Sequence, residues 1–388
     1  MSRFKEDINE AKERLKAWWD HEIIDRPCIS YWYPRLGEKI PDTEAVLEFF
    51  DPFYLAQFWD DIETAIVMYE ATSKIFYFGG ENIPDFRPYY GPGIMSAVFG
   101  IEPKPQTRTV WFHKETSVDD IVPLLEGVQI NMNNPWYARL IKTTEIAAKR
   151  AGKDYSVGVT DLGGVLDILS SFLGPTKLIL TMRRNPELID TCRVIILEKW
   201  TKVYNDLQRI IQQYSDGINS WMYLWCHKPW YPLQCDFSAF LSPKWFKRFA
   251  LPDIISQAEK MDYCIYHLDG PDALKHLDDL LSVPSITGIQ WVPGAGRELN
   301  CDDYWMPIYK KIQAAQKNLV IDFFVLPEQL AHFYKELDPK GLITTTIFMD
   351  YARTKFYLPK FIGGEGGEGN YREFKKNYRK QLKEQNNQ

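Results

Sequence analysis

The sequence predicts an α/β fold, with a closed (β/α)8 barrel carrying an N-terminal helical elaboration as the first choice and an open, doubly wound sheet as the second. Apolar segments of strand length alternate with segments of helical periodicity through the second half of the chain. Residues 263–296 show this pattern most clearly, as strand, polar tip, helix, strand and polar tip. Repeated alternation of this kind favours a parallel sheet.

Eight strands can be proposed along the chain. The predicted strands are 28–32, 75–78, 155–159, 217–225, 263–266, 286–291, 319–325 and 342–348. The predicted helices between the later strands are 176–213, 243–260, 271–282, 304–317 and 327–337. An amphipathic helix opens the chain, because apolar residues from Phe4 to Trp18 recur at helical spacing.

The domain organisation follows from length and composition. At 388 residues, the chain is long enough for one barrel with insertions. We expect a single barrel domain over residues 1–362, in which residues 1–150 form the elaboration. Residues 363–388 combine a glycine-rich linker with a basic segment, which predicts a flexible tail.

Composition excludes several classes of protein. The net charge is −6 and no basic stripe is interleaved with aromatic residues, so nucleic acid is not an expected partner. The chain contains no run of 18 apolar residues, so the sequence predicts no membrane span. Six dispersed cysteines and an N-terminus without an apolar signal core predict a cytoplasmic protein with reduced thiols. The 13 Trp and 22 Tyr residues suit a largely apolar pocket.

His267 and Asp269 end the predicted strand 263–266. Alternate residues of a strand point to the same side, so an imidazole and a carboxylate project together. Such a pair can bind a metal, or act as a base with its orienting acid. The alternative is structural, with His267 capping the strand and Asp269 capping the helix that begins near Pro271. Both interpretations stay open, although chemistry in β/α folds gathers at these strand ends.

Further candidates lie at other predicted strand ends. Trp225 and His227 end one strand, and Cys235 and Asp236 precede the next helix. Cysteine and histidine suit zinc, but for each of them taken alone the sequence favours a structural or substrate-contact role. Asp161 precedes two glycines, where backbone can approach a ligand closely. The positions that would point into or over a barrel are Gln290, Trp291 and Asp322.

Several of these segments resemble the uroporphyrinogen decarboxylase superfamily, and within it the cobalamin-dependent methyltransferases. Residues 236–252 are similar to a helix that is characteristic of this family. Residues 266–270 fall on the family's His-x-Cys-Gly strand end, and residues 267–296 resemble chains labelled trimethylamine corrinoid protein. Arg26-Pro27 corresponds to the family's N-terminal Arg-Pro segment. The resemblance covers nearly the whole chain and is strongest over 155–348.

The resemblance implies a TIM barrel of uroporphyrinogen decarboxylase type with its pocket at the strand carboxyl ends. It also implies methyl transfer between a small O-methyl or N-methyl compound and a corrinoid protein that carries cobalamin, with possible assistance from zinc. His267 keeps the family's ligand position, whereas Asp269 replaces a cysteine and a later cysteine near 344–346 is absent. Loss of both thiolates predicts a harder site.

The residues singled out above have the following expected roles. The catalytic candidates are His267, Asp161 and His227. The metal-ligand candidates are His267, Asp269 and Cys235. The substrate-binding candidates are Asp236, Gln290, Trp291, Trp225 and Asp322. One alternative function is that of a decarboxylase, which the acidic composition disfavours. The other is that of a non-catalytic subunit that binds a small molecule or a corrinoid protein. A monomer and a homodimer are both compatible with the sequence.

Overall fold

The computed structural model describes residues 2–35, 60–106, 109–294, 296–321, 330–347, 353, 356–357 and 370–385. The helices are α1 (Ile8–Trp19), α2 (Ile62–Ile75), α3 (Met95–Val98), α4 (Ile121–Gly127), α5 (Pro135–Ala151), α6 (Val165–Leu173), α7 (Pro175–Arg184), α8 (Pro186–Gln212), α9 (Pro243–Trp245), α10 (Leu251–Ala258), α11 (Leu277–Leu281), α12 (Met306–Ala314), α13 (Leu330–Glu336) and α14 (Tyr371–Gln385). Short 3-10 helices span Asp236–Phe240, Pro271–His276 and Asp303–Trp305, and a π-helical turn, Phe246–Ala250, joins α9 to α10.

The strands are β1 (Cys28–Pro34), β2 (Phe76–Gly80), β3 (Asp85–Phe86), β4 (Lys104–Gln106), β5 (Thr109–Trp111), β6 (Ser156–Val159), β7 (Asn219–Ser220), β8 (Trp230–Gln234), β9 (Tyr263–Asp269), β10 (Gly288–Val292), β11 (Asn318–Ile321) and β12 (Leu342–Ile347). In the described part of the chain, seven of them form one sheet in the order β2-β1-β12-β11-β10-β9-β8. The neighbours in this sheet are parallel except β1 and β2. The fold is therefore mixed α/β with a mostly parallel central sheet, as the alternating pattern predicts.

Closure of the sheet into a barrel is not established. A second sheet contains β3, β6 and β7 in that order, and β4 pairs with β5 as a separate hairpin. Within the described residues, no ladder joins β7 to β8, or β3 to β1 or β2. The backbone hydrogen bonds therefore leave two breaks in what would be a continuous ring of strands.

The predicted strand 75–78 forms, but its expected place in a parallel barrel is wrong. β2 runs antiparallel to β1, with Tyr31 opposite Gly79. A Cβ atom at Gly79 would lie 2.1 Å from the Tyr31 ring, so only glycine permits this close approach. β3, which the sequence did not predict, supplies the parallel neighbour of β6 instead.

The predicted strand 217–225 is mostly wrong. Only Asn219–Ser220 is a strand, and Tyr223 turns the chain back with a left-handed φ of 55°. Ile218 and Cys226 then meet as an antiparallel bridge. The aromatic side chains that suggest a strand here belong to a loop, and the strand β8 that follows was not predicted.

Other predicted elements form with small shifts in their bounds. The region 176–213 divides into α7 and α8, where the Asn185 side chain accepts a hydrogen bond from the Leu188 N–H and Pro186 begins the second helix. The predicted strand ends 322–325 and 348, and the linker 363–369, lie outside the described residues.

Helix α1 packs at the amino ends of the central strands. The Trp19 Nε1–H donates to the Trp225 carbonyl at 2.9 Å, and the Asn318 side chain donates to the Trp18 carbonyl at 2.9 Å. α1 therefore covers this end of the sheet, and the exposed Asp236 and Asp269 lie at the opposite, carboxyl end. Of the helices described, none is by itself long and apolar enough to cross a membrane; α6 and α7 meet that test only as a pair bent by 105°.

Candidate functional site

Three neighbouring strands place polar side chains at one level of the sheet. Gln234 of β8 lies opposite His267 of β9, and His267 lies opposite Gln290 of β10. Residues in register on parallel strands point to the same face, so these three side chains are neighbours. Gln234 ends β8, His267 lies in the second half of β9, and Gln290 is the middle residue of β10. The β/α pattern therefore delivers polar groups where the sequence predicted a site.

The His267 imidazole is oriented by Gln290. Its Nδ1 lies 2.5 Å from the Oε1 atom of Gln290, which is 2% exposed. An amide oxygen only accepts hydrogen bonds, so Nδ1 carries the proton and Nε2 presents its lone pair. The Trp221 ring packs edge-on against the imidazole, with centroids 5.1 Å apart. This is the arrangement by which proteins hold a histidine ligand ready for a metal.

Asp236 and Asp269 complete a cluster with His267. One potential ligand atom from each residue lies within 4.8 Å of the others. Asp236 begins the 3-10 helix after β8, and Asp269 ends β9. One imidazole and two carboxylates at these separations can hold a single divalent cation, whose bonds to such ligands are about 2.0–2.2 Å long. The structure thus brings His267 and Asp269 together, with Asp236 as the third member.

Cys235, the third expected metal ligand, is not a member of this cluster. It lies between Gln234 and Asp236, and its side chain is 5% exposed. Burial raises the pKa of the Cys235 thiol well above its usual value. A buried, protonated thiol is a poor metal ligand, because the thiolate is the form that binds.

Further carboxylates surround the cluster. Burial raises the pKa of Asp161 to about 6, and hydrogen bonds from the backbone of Gly163 and Gly93 oppose this shift. Burial, and then the charge of Asp236, raise the pKa of Asp167 to about 7. Burial also raises the pKa of Asp236, although the nearby His267 opposes it. Burial thus favours the protonated form of these carboxyl groups, and a cation bound among them would favour their ionised form.

Asp167 also positions Asp236. Its Oδ1 accepts a hydrogen bond from the Phe237 N–H at 2.7 Å, and its Oδ2 accepts one from the Asp236 N–H at 3.1 Å. These bonds tie helix α6 to the first turn after β8. The backbone that carries one member of the cluster is therefore fixed by a carboxylate from another element.

Tyr231 holds the loop that carries Asp161. Its hydroxyl accepts a hydrogen bond from the Leu162 N–H at 2.7 Å and donates to the Thr160 carbonyl at 3.1 Å. The Tyr231 side chain is 1% exposed, so both bonds are shielded from water. Asp161 is therefore bracketed by two backbone groups that the same hydroxyl fixes.

Trp225 and His227, expected at the site, lie elsewhere. The His227 ring is 6.1 Å from the ring of Tyr263, the first residue of β9. His267 lies four positions later on that strand, about 13 Å away at the usual rise per residue. The Trp225 ring contacts the Lys12 ammonium, 4.9 Å from the ring centroid, on α1. Both residues thus belong to the end of the sheet that α1 covers.

The last two expected residues are Trp291 and Asp322. Trp291 follows Gln290 and therefore points to the opposite face of β10, where its ring lies 5.0 Å from that of Trp305. It is fully buried. Asp322 lies outside the described residues.

Sequence reasoning missed Gln234 and Trp221. Both lie in or near the region 217–225, where the sequence pattern predicts a strand that the structure replaces with a loop followed by β8. The signal for Gln234 was its position two residues before Asp236, since alternate positions of an extended segment share a face. Trp221 carried no signal of its own, since its contact with His267 depends on the loop after β7.

Comparison with known proteins supports the fold. No protein-family model matches the chain, and no curated protein matches it. Among solved structures, the chain is similar to a methyltransferase from Methanosarcina mazei, with 12% sequence identity and a TM-score of 0.56. The similarity covers 87% of this chain and 93% of that chain. It shows a shared mixed α/β fold, and a shared fold does not by itself establish a shared activity.

Proposed function

We propose that the protein is a methyltransferase that moves a methyl group between a small O-methyl or N-methyl compound and a corrinoid protein. The observation that carries this proposal is the cluster of Asp236, His267 and Asp269 at the strand carboxyl ends, with His267 oriented by Gln290. The fold shared with a methyltransferase and the resemblance of the strand-end segments to the cobalamin-dependent enzymes support the same activity.

The proposal includes a (β/α)8 barrel of the uroporphyrinogen decarboxylase type. From β8 to β12, each strand of the central sheet is paired with the next strand in the chain. The last of them, β12, pairs in parallel with β1, the first strand. Pairing of the first strand with the last is what closure of a barrel requires, and it supports a barrel over an open sheet.

The donor set fits a divalent metal, with zinc as the first candidate. Asp236, His267 and Asp269 would hold it, and Gln290 would fix the imidazole tautomer. When bound there, the metal would supply Lewis-acid activation of the oxygen or nitrogen that leaves the methyl group. Two carboxylates in place of thiolates make a harder site than that of the related methyltransferases, which favours an oxygen or nitrogen substrate atom over sulfur.

In the direction of corrinoid methylation, the methyl carbon exchanges its bond to oxygen or nitrogen for a bond to Co(I). Cobalt supplies both electrons of the new bond and becomes Co(III). The electron pair of the broken bond stays on the leaving atom. An ether oxygen or a neutral amine nitrogen then takes up a proton from solvent, whereas a quaternary ammonium leaves as a neutral amine without one. The residues of the chain hold the cluster in place, because Gln290 orients His267 and Asp167 fixes the backbone of Asp236.

Elemental analysis and a methyl-transfer assay test the proposal. We expect about one zinc ion per chain after zinc supplementation, and its loss in the double variant His267→Ala/Asp269→Ala. The matched control is His332→Ala/Asp303→Ala, which removes an exposed His–Asp pair with a 2.7 Å contact. The control should keep both its metal and its rate of Co(I) corrinoid methylation.

Two results would contradict the proposal. Full methyl transfer by the folded His267→Ala/Asp269→Ala variant would remove the cluster from the mechanism. Absence of bound metal in the folded wild-type protein, together with absence of methyl transfer, would favour a decarboxylase-like pocket or a non-catalytic binding subunit.

A further inference from the structure

A cavity of about 440 Å³ adjoins the cluster and shares Asp236 with it. Aromatic side chains contribute much of its wall, among them Trp111, Phe237 and Phe240. Trp111 and Phe240 are each 62% exposed, so they form the rim, and Phe237 is buried. A cavity of this size and lining is typical of sites for small organic ligands.

Gln234 supplies a polar group that the protein itself does not use. Its side chain is 8% exposed and lines the cavity, and its Oε1 atom is buried with no hydrogen-bond partner among the described residues. An unpaired buried acceptor costs about 1–3 kcal/mol, so such groups are rare without a function. Gln234 also adjoins His267 across β8 and β9. The unused acceptor therefore belongs to a residue of the cavity wall, next to the strand that carries His267.

The charges around the cavity select against anions. Among the described residues that line it, none is lysine or arginine, whereas two, Asp167 and Asp236, are carboxylic acids. Asp167 already accepts two backbone hydrogen bonds, and Asp236 would bind the metal. Thr109, His113 and Ser170 also line the cavity, but among its described lining residues only Gln234 has a buried side-chain polar atom without a partner. The aromatic wall and the Gln234 acceptor suit a neutral aromatic molecule that carries a hydrogen-bond donor.

We propose that this cavity binds the methyl-bearing substrate as a neutral aryl methyl ether with a phenolic hydroxyl. The ring packs against Trp111, Phe237 and Phe240, and the hydroxyl donates to Oε1 of Gln234. The ether is then beside Asp236, the residue common to the cavity and the cluster. This assignment of the occupant rests on the proposed methyl transfer, but binding to the cavity can be measured without it.

Calorimetric titration of the purified full-length protein tests the inference with three probes. These are 2-methoxyphenol, methoxybenzene, which lacks the hydroxyl, and 4-methoxybenzoate, which adds a negative charge. We expect saturable binding of 2-methoxyphenol. Methoxybenzene should bind about fivefold more weakly, because it lacks one neutral hydrogen bond, and the anion should not bind.

Variants assign the contacts. Gln234→Leu should weaken binding of 2-methoxyphenol about fivefold and leave methoxybenzene unchanged, because only the phenol donates a hydrogen bond. The control Gln129→Leu changes an exposed glutamine and should alter neither affinity. Trp111→Ala should weaken both neutral probes, whereas Tyr304→Ala, which removes an aromatic ring that is 65% exposed, should weaken neither.

Preferred binding of 4-methoxybenzoate, or an equal effect of Gln234→Leu on both neutral probes, would overturn the inference. So would the absence of saturable binding by either neutral probe to the folded wild-type protein. Binding of 2-methoxyphenol without methyl transfer to Co(I) corrinoid would contradict the proposed function alone. Methyl transfer from another donor, without binding of 2-methoxyphenol, would contradict the assigned substrate class alone.

Discussion

The Oε1 atom of Gln290 lies 2.5 Å from Nδ1 of His267, on the neighbouring parallel strand and in direct register. The contact sets which imidazole nitrogen carries the proton and leaves Nε2 as an acceptor or ligand. Asp236 and Asp269 lie around the same imidazole. One cross-strand hydrogen bond thus prepares His267 for either metal binding or proton transfer.

Replacement of Gln290 by leucine should lower metal affinity about 10–100-fold, because the imidazole loses the partner that fixes its tautomer and orientation. Competition against a chromophoric chelator measures the affinity. Gln129→Leu, at an exposed position, is the matched control and should bind metal like the wild type. Equal affinities of Gln290→Leu and the control would show that Gln290 does not support a metal ligand.

Glu81→Gln should lower the free energy of unfolding by about 2 kcal/mol, because it removes the charge from a fully buried carboxylate that is hydrogen-bonded to the partly exposed Arg26 guanidinium. The two oxygens of Glu81 accept hydrogen bonds from Arg26 at 2.8 and 2.9 Å, and one also accepts from the Ile29 N–H at 2.8 Å. Urea unfolding measures the change. The control Glu22→Gln removes an exposed ion pair with Lys340 and should change stability by less than about 1 kcal/mol. Similar effects of the two variants would contradict this account.

Tyr231→Phe should destabilise the protein by about 1–3 kcal/mol, because it leaves the buried Leu162 N–H without an acceptor. Tyr204→Phe is the matched control, since that buried hydroxyl donates a single hydrogen bond, to the Trp230 carbonyl at 3.2 Å. We expect the smaller loss for Tyr204→Phe. Hydrogen exchange of the Leu162 amide should also accelerate in Tyr231→Phe, and unchanged exchange would contradict the proposed role of the hydroxyl.

Asp85 should make stability depend on pH. Burial raises the pKa of Asp85 from its ordinary value of 3.8 to about 6, while Arg87 opposes the shift. The folded state therefore holds a proton that the unfolded chain releases, and this contribution to stability is present below about pH 4 and is lost as pH rises to about 6. The loss amounts to about 3 kcal/mol, at about 1.4 kcal/mol for each unit of pKa shift.

The comparison with Asp85→Asn isolates this effect, because the amide keeps the shape and does not titrate. The unfolding free energy of the wild type minus that of the variant should fall between about pH 4 and pH 6 and stay level above it. A difference that rises with pH over this interval would show that the Arg87 charge dominates over burial.

Local patterns predicted the elements well where a segment has one clear period. The strands β9, β10 and β12 and the helices α8 and α12 all appear near their expected positions. The predicted strand 217–225 was wrong, because its aromatic residues are common in strands in general. In the structure, the chain turns back at Tyr223, which has a left-handed φ, and Ile218 and Cys226 pair as a bridge. Neither feature has a period that a sequence pattern could reveal.

The sequence by itself determined that the chain is α/β, and that His267 and Asp269 share one side of a strand end, because strand alternation is a local property. Only the tertiary structure decided that Asp236, and not Cys235, joins them, and that Gln290 orients the imidazole. These contacts join residues 23 or more positions apart. Strand register fixes such contacts, and register depends on packing and hydrogen bonds between strands that no single segment encodes.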